Sequence, residues 1–145
     1  MPIRTIKAPL TAGFIYATVM FALGFVLGAI RVELLVPRFG ATLAVLVEAP
    51  FMLVASWWAC LKCIAHFRVR ASIDTRAFMG AVALVTLLAQ EIGLAAAAFG
   101  LSPLQYVLGL GSLPGLVGLS AQLAFASFPL VQAPRRGRER AAHQS

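Results

Sequence analysis

Four stretches of this chain stay apolar for about the length of a bilayer crossing, and that restricts the fold more than any other feature. Leu10 to Ile30 carries no charge in 21 residues. Leu43 to Leu61 carries only Glu48, Phe78 to Phe99 only Glu91, and Leu113 to Val131 none. A helix needs about 20 mostly apolar residues to cross the hydrocarbon core. With 61% of its 145 residues hydrophobic and 12% charged, the chain has more apolar surface than a small soluble domain can enclose. The stretches lack the two-residue alternation of barrel strands. The reading is an all-α, four-helix transmembrane bundle spanning residues 1–133. A basic tail, 134–145, is too polar to pack and is expected to be disordered.

The basic residues flank these stretches. Arg4 and Lys7 precede the first; Arg31 and Arg38 follow it; Lys62, Arg68, Arg70 and Arg76 lie between the second and third; Arg135, Arg136, Arg138 and Arg140 lie in the tail. Ten fall on one side of the membrane and two on the other, so the positive-inside rule places both termini in the cytoplasm. Trp57 and Trp58 then sit near the inner interface, where amphipathic rings collect. The net charge of +7 reads as topology and as contact with anionic head groups, not as a nucleic-acid surface. The first stretch exceeds the h-region of a signal peptide and is followed by Arg31 and Val32 in place of a small-residue cleavage site, so it reads as a retained span.

Each span carries a polar group among small residues when read at about 100° per residue. Glu48 shares a face with Ala41, Ala44, Met52, Ala55 and Ala59. Glu91 shares one with Gly80, Leu84, Leu87, Ala95 and Ala98, and Gln122 one with Gly115, Gly118 and Ala126. Extending the first helix past Ile30 puts Arg31 over Leu27, Gly24, Met20, Ala17 and Gly13, with Gly28 beside them. Small residues let membrane helices approach closely, and intramembrane polar groups face the bundle. Glu48 lies eight residues in from Gly40 and Glu91 eight in from Phe99, both at the outer side, about 12 Å deep. These positions predict a polar cluster of Arg31 with Glu48, Glu91 or both, with Gln122 nearby. The turn falls at Pro37, Arg38 and Gly40. Competing readings are an Arg31 that snorkels to head groups and a transport or proton-relay path. Gly24 and Gly28 form a GxxxG, read as helix packing within the chain.

Cys60, Cys63 and His66 supply three ligands of a metal site that lacks a fourth, and they read as inert thiols in a reducing compartment. No P-loop, nucleophile elbow, dinucleotide fingerprint or HExxH pattern is present. The expectation is therefore a protein that is not an enzyme, with no cofactor and no metal.

The run GFVLGAIRVELLVPRFG, then VEAPFMLVASWWA, resembles a family of small bacterial integral membrane proteins of uncharacterised function. The matching residues are Gly24, Gly28, Arg31, Val32, Leu35, Val36, Pro37, Arg38 and Gly40, then Glu48, Pro50, Met52, Leu53, Ala55, Ser56 and Trp57. AQEIGL around Glu91 and LPGLVGLSAQLAFASFPLV are also similar. The resemblance implies a four-span inner-membrane protein and no activity. Two roles compete: a structural or accessory membrane protein associating with itself or other membrane proteins, and a small ion or proton channel or transporter using Glu48 and Glu91.

Overall fold

The computed structural model describes residues 3–134. Helix α1 runs Ile3–Ile30, continues through a π turn at Arg31–Leu35 and ends in the short α2, Val36–Phe39. Helix α3 is Ala41–His66, α4 Ile73–Phe99, α5 Pro103–Gly109 and α6 Leu113–Val131. No strand occurs among the described residues. Four helical runs are long and apolar enough to cross a membrane: Ile6–Phe39, Ala41–His66, Ile73–Phe99 and Leu113–Val131. The tail beyond Pro134 lies outside the described residues.

The first run is longer than the sequence predicts, and of the three predicted turn residues only Gly40 makes the turn, Pro37 and Arg38 being helical. Pro37 does not reverse the chain; it sits at the start of α2. A proline lacks an N–H and crowds the carbonyl four residues back. Here the preceding turn widens, and the Val36 N–H reaches the Arg31 carbonyl, which accommodates the ring without ending the helix. Reversal waits for Gly40, at φ +80° and ψ 165°. That positive φ is open to glycine at little cost.

At the other end of α3, Arg68 takes the left-handed conformation at φ 51°. Its N–H returns to Ala65 O and the Val69 N–H to Ile64 O, the two bonds of a Schellman ending that glycine usually makes. Ser72 caps α4 through Thr75 N, and Ser112 caps α6 through Gly115 N. Ser102 and Gln105 form a reciprocal capping box that starts α5, within a segment whose sequence reads as an uncharged interfacial loop.

Around the bundle the helices follow the order α1, α3, α6, α4, so that α1 and α6 stand on one diagonal and α3 and α4 on the other. Tyr16 and Phe125 meet across the α1–α6 diagonal. Their rings stack at 4.3 Å, and the Tyr16 hydroxyl donates to the Phe125 carbonyl at 3.1 Å. Met20, Cys60, Met79, Ala83 and Leu87 complete the buried centre. Close approach comes from two glycines. A Cβ on Gly13 would lie 2.7 Å from the Met79 carbonyl oxygen, and one on Gly80 would collide with the Ala126 carbonyl. Outside, Phe14, Phe51, Val54, Val85, Phe99 and Leu123 are exposed. Such a continuous apolar coat suits lipid and not water.

Candidate functional site

Arg31 and Glu48 face each other where the α1 run passes α3. Arg31 Nη1 lies 2.9 Å from Glu48 Oε2, with side-chain exposures of 30% and 12%. The distance is that of an ion pair, but the N–H is not aligned on Oε2 as a hydrogen bond. The contact is therefore Coulombic and single, not a bidentate fork. The π turn begins at Arg31 itself. Gly28 lies beside the guanidinium, where a Cβ would stand 3.8 Å from Arg31 Nη2, an ordinary contact that does not require glycine. Of the GxxxG pair, Gly24 meets Met52 of α3, whereas Gly28 has only Arg31 of its own helical run nearby and does not pack against another helix.

Glu91 belongs to a second site, between α4 and α6. Gln122 Nε2 donates to both of its oxygens, at 2.9 and 2.7 Å. The Tyr106 hydroxyl donates to Glu91 Oε2 from α5. Burial first, and then the adjacent Glu91, hold the Tyr106 phenol well above its ordinary pKa. Gln122 Oε1 is enclosed with no partner.

The predicted cluster of Arg31, Glu48, Glu91 and Gln122 is therefore divided. Among the described residues Arg31–Glu48 is the single ion pair, and Glu91 joins Gln122 and not Arg31. The helix order explains the division. The α1–α3 and α4–α6 contacts are opposite edges of the bundle, so small-residue faces meet in adjacent pairs and not at one centre.

Three polar contacts escape the sequence reading. Tyr106 sits in the uncharged connection between the third and fourth spans, where Ser102-Pro103 followed by Gln105 is a helix-start signature. Gln90 Nε2 donates to Thr18 Oγ1 at 2.9 Å, tying α4 to α1. Arg76, read as a loop cation, is only 5% exposed. Its Nε donates to the Arg70 carbonyl at 3.0 Å.

Cys60 and Cys63 are free and buried. His66 is exposed and packs edge-on against Phe67 at 4.8 Å. Among the described residues no three His, Cys, Asp or Glu side chains converge as metal ligands. Comparison of the chain with known families, curated proteins and solved structures gives no match.

Proposed function

We propose that this chain is a multi-pass protein of the bacterial inner membrane, with both termini in the cytoplasm and a structural or accessory role. It is not an enzyme on this reading. The observation that carries the role is that the intramembrane polar groups find partners within the chain: Arg31 with Glu48, and Glu91 with Gln122 and Tyr106. Groups held this way lock helices together, whereas a transport path needs polar groups that exchange partners with water or an ion. The likeness of the Gly24–Gly40 and Glu48–Trp57 runs to small bacterial four-span proteins supports the same placement, as does the cation asymmetry across the spans. Anionic head groups and other membrane proteins, or a second copy of the chain, are its natural partners.

Topology is tested by single cysteines introduced at Gly111 and at Ser72. A membrane-impermeant thiol reagent added to intact cells should label the first and spare the second; the native thiols are enclosed. Equal labelling of both would contradict the placement.

The alternative role is conduction of protons or small cations through Glu48 and Glu91. Its support is the enclosed, unpartnered Gln122 Oε1 beside Glu91, an acceptor that a cation would use. Reconstituted vesicles decide between the two. A structural lock gives no flux above protein-free vesicles. A conducting site gives flux that falls on Glu48→Gln or Glu91→Gln.

A further inference from the structure

The first helical run has an outer end that the rest of the bundle leaves bare. Arg31–Leu35 and α2 have their neighbours in α1 and α3. Arg31, Leu35 and Val36 are half-buried, whereas Ile30, Glu33, Leu34, Pro37 and Arg38 are exposed. The π turn produces this division. With the Val36 N–H on the Arg31 carbonyl, the turn holds about one residue more than an α turn, and Leu35 and Val36 both return to the side of Arg31 that meets α3.

Glu33 and Arg38 are opposite charges on one exposed surface. Among the described residues neither has an ion-pair partner. Acyl chains receive Ile30 and Leu34 readily but penalise a lone carboxylate or guanidinium. Water solvates the two charges and rejects the leucine. A protein surface that offers apolar contact together with one charge of each sign satisfies all of them, and the same surface on a second copy does so.

The spacing fits that occupant. Copies of one membrane protein share one orientation, so a two-fold axis relating them runs along the bilayer normal and sets their first runs side by side and parallel. In a parallel helix pair, a residue on one flank of the contact reaches the residue five further along the other chain, the g-to-e spacing of coiled helices. Glu33 and Arg38 are five apart, and Ile30 and Leu34, four apart, lie along the same surface.

We propose that this surface joins two copies of the chain in a two-fold dimer, with Glu33 of each copy paired to Arg38 of the other and Leu34 near the axis. The dimer rests on the membrane placement proposed above and names the contact between copies within it. The Arg31–Glu48 pair lies on the side of the run turned to α3 and holds the surface steady from behind.

Full-length copies bearing a donor or an acceptor fluorescent protein at the carboxyl end, reconstituted together in phosphatidylcholine vesicles, provide the test. Energy transfer is followed as the protein is diluted with lipid. Wild-type transfer should persist on dilution. Glu33→Arg and Arg38→Glu, each alone, should weaken association about tenfold or more, since each turns two attractions into two repulsions. Glu33→Arg copies mixed with Arg38→Glu copies should associate as the wild type does, because both cross-chain pairs return with their signs exchanged; that recovery also shows both variants to be folded. Leu34→Cys keeps both charges and should give a cross-linked dimer on mild oxidation, the native thiols being buried. A monomeric wild type, single variants that associate as the wild type does, a mixture that does not recover, or a Leu34→Cys chain that stays uncross-linked would overturn the proposal. Thiol labelling at Gly111 and Ser72 tests the membrane placement separately: a chain that labels as placed and stays monomeric refutes the contact alone.

Discussion

Arg31 Nη1 stands 2.9 Å from Glu48 Oε2, and the two residues are joined by a widened helical turn and a single glycine. The π turn that starts at Arg31 keeps the helix going past a proline. Gly40 then reverses the chain, so that Glu48 returns eight residues deep along α3. One arginine and one carboxylate thereby meet at a depth where neither is easily tolerated alone.

Glycine positions separate packing from mere sequence pattern. Gly80→Ala should destabilise the bundle by about 1–3 kcal/mol, the usual range for overpacking, because the added methyl meets the Ala126 carbonyl on backbone that cannot give way. Gly118→Ala meets nothing within 4 Å and should be neutral or slightly stabilising. Denaturant titration in mixed micelles gives both values. Equal losses at the two positions would contradict the α4–α6 crossing described here.

Tyr16→Phe keeps the stack on Phe125 and removes one hydrogen bond to its carbonyl. The expected loss is about 1 kcal/mol, measured in the same titration. Tyr16→Ala removes the ring as well and should cost several times more, about 3–5 kcal/mol by analogy with other large aromatic deletions.

Tyr106 makes a prediction about pH. Its phenol is held above the ordinary value of about 10 by burial and then by Glu91. Between the two values the folded chain keeps a proton that the unfolded chain has lost. Stability from this group is therefore complete below about pH 10 and declines as pH rises through the folded pKa. Alkaline titration of phenolate absorbance, wild type minus Tyr106→Phe, should show a tyrosine ionising later than free tyrosine. Glu91→Gln should bring that ionisation earlier, though still late, since burial is the larger cause.

The spans were legible because hydropathy and length are local properties, and each predicted span falls inside an observed helix. The Arg31–Glu48 contact was also legible. Both residues lie on small-residue faces of consecutive helices at matching depth, and consecutive helices tend to be neighbours. The separation of Glu91 from Arg31 was not, because it depends on the order of helices around the bundle, which no single face encodes. Tyr106 was hidden by the short helix that carries it, although Ser102, Pro103 and Gln105 announce that helix. Burial of Arg76 goes with the fold of the α3–α4 loop, whose Arg70 carbonyl accepts from its Nε and which opens on a left-handed arginine at position 68, where a sequence reader looks for glycine.

The double-mutant cycle on Arg31 and Glu48 bears most directly on the pairing of intramembrane charges. Arg31→Ala and Glu48→Ala should each cost about 2–3 kcal/mol, since each strands the other charge in the bilayer. The double variant should lose clearly less than the two losses added together. Losses that simply add, measured by unfolding in the same micelles, would show two charges that do not depend on each other and would contradict the pair.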